Sequence, residues 1–291
     1  FYHPMTVPAE QPFEANEVLA FLIKGGLWQR GDSISLIAYK PAFPRQRSLH
    51  RWHYHVCREG EDFCHLIVGM SLAPLHDRAG EMSAACPEIS CRPLLFREKA
   101  DGLGFLCLEH FQGESLDSLV EQGRCNAAVW LSYARRAQKA LERTMQVSTD
   151  EQLADEIQSL IDEACGYPGL SEFDIQFLRG PAQRAILTGA LSKSIHRQWS
   201  NGDFAGRNLL INSQGDLRLI DYEYAGFTHF GQGDWLRLME FSIIPPGLDV
   251  TSVPEMEIAR QPWHVVRLWI HQLVQLKNAQ PSPILTEHLT E

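Results

Sequence analysis

The chain changes character at Gln112-Gly113, and that change limits the folds open to it. Before it lie SISLIAYK (33–40), SLHRWHYHVC (48–57), FCHLIVGMS (63–71), CRPLLFRE (91–98) and LGFLCLEHF (103–111). These short apolar runs, bounded by turn-forming residues, read as strands. PAFPRQR joins the first two and REGED the next pair. Lys99-Ala-Asp-Gly102, flanked by apolar runs, is a hairpin signal. A short helix (ANEVLAFLIKGGLW, ending at Gly25-Gly26) precedes the strands, and a second, LHDRAGEMSAAC (75–86), follows the third strand. From Ser115 onward the pattern is helical. It runs through SLDSLVEQG, 127–145, DEQLADEIQSLIDEAC (150–165), 180–199, GDWLRLMEFSII and 261–279, with apolar spacing near 3.6 residues in the longer segments. The expectation is an α+β chain in two lobes: a small antiparallel β-rich lobe over 1–111 and a larger helical lobe over 112–291.

At 291 residues the chain is long enough for such a pair. It carries 26 basic and 36 acidic residues, a net charge of −10. That balance argues against sequence-independent nucleic-acid binding, which needs cations facing phosphates, and it suits a cationic small substrate. No apolar run approaches the length of a membrane span. The start, FYHPMTVPAEQPF, lacks a basic-then-apolar leader pattern, and Met5 reads as a native initiator. The seven cysteines include no CxxC pair. Cys57 and Cys64 are placed to meet across a hairpin, but free thiols of a cytoplasmic protein are the favoured reading.

One short stretch, WSNGDFAGRNLLINSQGDLRLIDYEYAG (199–226), interrupts the helical half. Leu209 to Asn212 and Leu217 to Asp221 read as strands around the turn Ser213-Gln214-Gly215-Asp216. Closing that hairpin brings Asn208 beside Asp221, with Asp203 on the loop leading in. Each residue alone also suits a turn. Together they suit phosphoryl transfer: Asn208 and Asp221 as oxygen ligands to Mg²⁺, and Asp203 as acceptor or orienter of a hydroxyl proton.

NGDFAGRNLLI followed by LIDYEYAG resembles the kinase-like small-molecule phosphotransferases, the aminoglycoside phosphotransferases and choline/ethanolamine kinases. Their loop reads H-G-D or H-N-D, four residues, then N, and their metal-binding segment reads I-D-[FWY]-E. LCLEHFQGESL (106–116) resembles their hinge, E-x-x-x-G-x-x-L. The resemblance implies a bilobal protein-kinase-like fold, ATP and Mg²⁺ as cofactors, Asp203 as the catalytic aspartate, and Asn208 and Asp221 as metal ligands. It implies that the backbone around Glu109, His110 and Phe111 meets the adenine, and that Glu81 matches the glutamate paired with a nucleotide-binding lysine. Asp234, in GQGDWLRL, matches an aspartate that braces the catalytic loop. Glu223 either lines the substrate mouth or sits on the surface.

The pattern also departs from that family. Asn201 stands where the histidine before Gly-Asp is usual, which predicts weaker bracing but intact chemistry. The third strand has no lysine or arginine for the α/β-phosphates, and His65 is a poor substitute. Lys40, at the end of the first strand, can reach in from there, and reads more readily as a solvated strand end. The loop KPAFPRQRS has no glycine; Arg45 and Arg47 either contact phosphate or form a basic surface loop. Trp235, Trp263 and Trp269 are candidates to hold a quaternary ammonium, and fit a helical core more readily. The leading reading is an ATP- and Mg²⁺-dependent phosphotransferase acting on a hydroxyl of a small molecule: an aminoglycoside, an amino alcohol or a sugar-like compound. The alternative is a pseudokinase-like protein that binds nucleotide or a partner without transfer. A protein kinase fits less well, because no A-P-E segment follows Asp221. Acceptor, oligomeric state and the choice of ATP or GTP are not encoded in any motif.

Overall fold

The computed structural model describes residues 13–40, 51–167, 169–191 and 196–277. The readings placed on Met5, Arg45 and Arg47 lie outside them, as do the side chains of residues 38–40. The described chain divides into two compact units, one of residues 13–83 and 91–112, the other of 84–90 and 113–277.

The first unit follows the expected order: α1 (Ala15–Lys24), β1 (Ser33–Lys40), β2 (Arg51–Arg58), β3 (Glu61–Met70), α2 (Ala73–Ala85), β4 (Pro93–Glu98) and β5 (Leu103–Glu109). All pairings are antiparallel, in the sheet order β1-β2-β3-β5-β4. The turn between β2 and β3 is tighter than REGED suggested: Glu59 and Gly60 make it alone, both with positive φ, and Glu61 and Asp62 already belong to β3. Strand alternation puts Trp52, Tyr54, Val56, Cys64, Leu66, Val68, Phe105 and Cys107 on one face. There they pack with Phe13, Val18, Phe21 and Leu22, the last three from α1. Burial of each large apolar side chain contributes about 1.5–3 kcal/mol, so this face fixes the register. The opposite face carries His53, His55, His65 and Leu108.

The second unit comprises β6 (Glu114–Ser115), α3 (Leu116–Glu121), α4 (Ala127–Glu142), β7 (Gln146–Val147), α5 (Asp150–Cys165), α6 (Glu172–Phe177), α7 (Gln183–Leu191), β8 (His196–Ser200), β9 (Leu209–Ile211), β10 (Leu217–Leu219), β11 (Gly226–Thr228), α8 (Asp234–Phe241), α9 (Glu255–Ala259) and α10 (Pro262–Lys277). α5 spans the residues expected of it and opens on a capping box, in which Thr149 and Gln152 exchange side-chain to backbone bonds. Leu153, Ile157 and Ile161 of α5 pack with Ile186 of α7, Ile270 of α10 and Phe230.

The helix expected over 180–199 is corrected at both ends. At its start, α6 runs into α7 through a π-helical turn, Leu178–Ala182, that contains Pro181. Proline has no N–H to give the i−4 carbonyl, and a wider turn absorbs the loss. At its end, His196–Ser200 is a strand, held between β7 and β11. Gln198, Trp199 and Ser200 are buried there, and ladder bonds on both sides outweigh the helical spacing of this segment. The seven cysteines are free, so the alternative Cys57–Cys64 pairing is not formed. Among the described residues no helix is long and apolar enough to cross a membrane.

Candidate active site

β9 and β10 pair with Leu217 opposite Ile211 and Leu219 opposite Leu209, the hairpin expected from 209–221. Beyond the last ladder pair, Ile220 N–H donates to Asn208 O at 3.0 Å. That bond places Asn208 and Asp221 at the same end of the hairpin. β8 leads into the loop bearing Asp203, and a 3₁₀ turn over Gly206–Asn208 returns the chain to β9.

Two glycines make the loop possible. Gly202 has φ +71°, and a Cβ there would lie 2.1 Å from Tyr224 O. A Cβ on Gly206 would lie 2.0 Å from Asp117 Oδ1, and its N–H donates to Ser242 Oγ at 2.7 Å. Asp221 itself has φ +64°. A left-handed aspartate at the end of a strand is uncommon, and such strain concentrates at functional positions. Two groups hold it. Tyr222, buried beside it, donates its hydroxyl to Leu219 O at 2.5 Å. Asn201, fully buried, donates Nδ2 to both Ile220 O and Asp221 O at 3.2 Å. The asparagine in the histidine position therefore does brace the segment.

The Asp203 carboxylate is the most heavily bonded group of the set. Arg237 donates Nε and Nη2 to Oδ1 at 3.1 and 2.7 Å. Arg207 Nη2 bridges both oxygens at 3.0 and 2.8 Å. Asn208 Nδ2 donates to Oδ2 at 3.0 Å and to Asp203 O at 2.8 Å. Burial raises the carboxyl pKa, but Arg237 and then Arg207 outweigh it, and the net shift is downward. Asp203 is an ionised acceptor at neutral pH.

These contacts also orient Asn208. Both acceptors it faces are oxygens, so its amide nitrogen must point at them and its Oδ1 away. Among the described residues nothing donates to the Asp221 carboxylate. Asn208 Oδ1 and the Asp221 carboxylate are thus two hard oxygen donors at one hairpin end. This donor set fits Mg²⁺, which takes one or two protein oxygens and keeps waters and phosphate oxygens for the rest.

Behind the loop, Asp234 is buried and accepts from Ser200 Oγ at 2.8 Å, while Ser200 Oγ accepts Gly202 N–H at 3.0 Å. One hydroxyl thereby ties Asp234 to the glycine turn. Burial pushes the Asp234 carboxyl up to about 6 against the pull of Ser200, Arg267 and Arg237. Trp235 and Trp263 are buried, as a core role requires, and Trp269 is 43% exposed. Glu223 is half-buried.

The residues expected to meet the nucleotide lie in the first unit. Glu109 ends β5 and is exposed; its N–H donates to Arg92 O at 2.8 Å. His110 N–H donates to Phe63 O at 3.4 Å, and Phe111 follows, half-buried. Glu81 is exposed on α2, with no ion pair to any described residue. Lys40 pairs with Arg51 at the end of β1. Neither arginine on Asp203 was foreseen from the sequence. Arg207 carries a weak signal, four residues beyond Asp203. Arg237 carries none beyond lying one helical turn after Asp234.

No protein-family model and no curated protein matches the chain. Solved structures do. The aminoglycoside phosphotransferase APH(4)-Ia superposes with a TM-score of 0.59 at 12% identity, over 91% of this chain and 98% of that one. A thermostable mutant of it, in ternary complex with AMP-PNP and hygromycin B, gives 0.59 at 14% over 88% and 90%. An ethanolamine kinase of Plasmodium vivax gives 0.52 at 10% over 89% and 80%. The chain thus has the fold of the kinase-like small-molecule phosphotransferases, an α+β arrangement of a small antiparallel sheet and a larger helical part.

Proposed function

We propose that the chain transfers the terminal phosphoryl group of ATP, with Mg²⁺, to a hydroxyl of a small molecule. The observation that carries this reading is the Asp203–Asn208–Asp221 arrangement: an ionised acceptor and two oxygen donors at one hairpin end. Asn208 Oδ1 and the Asp221 carboxylate would hold Mg²⁺, which when bound offsets the negative charge of the phosphates. The solved ternary complexes of fold neighbours, with AMP-PNP or ADP and hygromycin B, support nucleotide and hydroxyl acceptor as the two substrates.

Asp203 acts by position more than by basicity. A carboxyl held below its ordinary pKa is a weak base but a firm acceptor, able to turn the acceptor hydroxyl toward the phosphorus for in-line attack. A carboxylate has about four lone-pair sites, and the two arginines and Asn208 fill them. The incoming hydroxyl therefore displaces Arg207, whose side chain is 49% exposed, and not Arg237, at 6%.

The absence of a cation from β3 and the solvent-facing Glu81 favour a second reading, a pseudokinase-like protein that binds nucleotide or a partner without transfer. Calorimetry with ATP plus Mg²⁺, then with ATP plus chelator, separates the two, followed by transfer assays on aminoglycosides, amino alcohols and sugars. Metal-dependent binding that Asp221→Ala abolishes and Asp203→Ala keeps, with transfer lost in both, is the expected result. Transfer by Asp203→Ala at the parent rate refutes its assigned role. Metal-dependent binding without transfer to any acceptor supports the second reading, as does the absence of binding in both conditions.

A further inference from the structure

The first unit holds a cluster of side chains to which the phosphoryl-transfer reading gives no role, since that reading draws only on the backbone at His110. His53 and His55 of β2, His65 of β3 and His110 after β5 form a run of ring contacts. Centroids are 5.1 Å apart for His53–His65, 5.8 Å for His55–His65 and 4.8 Å for His55–His110. At the outer end of this run a carboxylate meets two imidazoles. His55 Nδ1 lies 2.8 Å and His110 Nε2 3.7 Å from the same oxygen, Asp62 Oδ2. The ligand-capable atoms of His55, Asp62 and His110 all lie within 4.8 Å of one another.

Backbone geometry builds this meeting. Val56 pairs with Cys64 but Cys57 pairs with Asp62, so Phe63 is an extra residue in β3. In regular alternation Asp62 would share the face of Cys64, packed in the apolar core. The bulge turns it to the histidine face instead, a usual effect of bulges. Cys57 then holds the carboxylate in place, donating Sγ–H to Oδ1 at 2.7 Å and leaving Oδ2 toward the rings.

We propose that His55, Asp62 and His110 form a binding site for a divalent transition-metal ion of the zinc class. Two imidazole nitrogens and one carboxylate oxygen are the donor set of such ions, while Mg²⁺ prefers oxygen alone. Tetrahedral ligation at about 2.1 Å sets donor atoms about 3.4 Å apart. The observed spacings bracket that value, so small side-chain rotations close the site. An open cavity of ≈ 590 Å³, lined by Asp62 and His110 together with Arg58, Phe63 and Arg92, gives an ion a route in. The three side chains are 24%, 32% and 13% exposed, buried enough to be held and open enough to be reached. The site does not rest on the phosphotransfer reading.

The test is equilibrium dialysis of the full chain, stripped with chelator, against Zn²⁺, with Co²⁺ as a visible-absorption probe. One equivalent should bind the parent and His76→Ala, which removes an exposed His–Asp pair on α2. Affinity should fall at least about tenfold in His55→Ala, Asp62→Ala and His110→Ala. Zn²⁺ should raise the melting temperature of the parent and not of these variants. His110→Gln stands in for any alanine variant whose near-ultraviolet circular dichroism is lost. No zinc binding by the parent, unchanged binding in folded variants, or displacement of zinc by excess Mg²⁺ would each overturn the assignment.

Discussion

Two arginines hold one carboxylate in very different surroundings, and that contrast sets a quantitative test. Arg237 is buried, at 6% side-chain exposure, and makes two bonds to Asp203 Oδ1. Removing one member of a buried ion pair costs about 3–5 kcal/mol, because the other charge is left in a poorly solvated place. Here Arg207 and Asn208 remain on the carboxylate, so Arg237→Met should cost about 3 kcal/mol. Arg207 is about half exposed, and water replaces it cheaply. Arg207→Met should cost about 1 kcal/mol or less. Urea denaturation measures both; with two units in the chain, the effect is to be read in the transition of the larger one. Asp203 titrates below its ordinary 3.8. Its contribution is therefore complete above that pH and is lost as pH falls through the folded value. The gap between parent and Arg237→Met should narrow once pH drops below about 4. Equal costs for the two substitutions, or a gap that widens in acid, would refute the clamp.

Gly202→Ala must place a Cβ 2.1 Å from Tyr224 O at a φ of +71°, and should cost about 3 kcal/mol or more through strain and overpacking; a melting temperature equal to the parent's would show that the loop relaxes freely. Asp234 is shifted the opposite way to Asp203: with its carboxyl at about 6 against an ordinary 3.8, the stability it contributes is fully present below 3.8 and lost as pH rises through about 6. The loss is on the order of 3 kcal/mol, and Asp234→Asn should flatten the stability profile across that window.

The hairpin that gathers Asn208 and Asp221 was legible in the sequence because everything that makes it is local: two apolar runs, one turn, and backbone pairing across a few residues. The same holds for α5, where Thr149 and Gln152 mark the start on the chain itself, and for the early strands, whose apolar runs are bounded by turn-forming residues. The strand at His196–Ser200 was not legible, since its helical spacing is overruled by β7 and β11, which arrive from 50 residues before it and from beyond the hairpin. Nor was Arg237, which reaches Asp203 only because α8 packs beside the loop. The bulge at Phe63 is the plainest case, because one unpaired residue moves Asp62 from the apolar face to the histidines, and nothing in the composition of β3 announces it. Sequence alone determined most of the elements and the meeting of Asn208 and Asp221 at one hairpin end, since those follow from neighbouring residues. Tertiary structure decided the ion-pair partners of the Asp203 carboxylate and the company of each histidine, since electrostatics and ligation depend on what distant segments bring within a few ångströms.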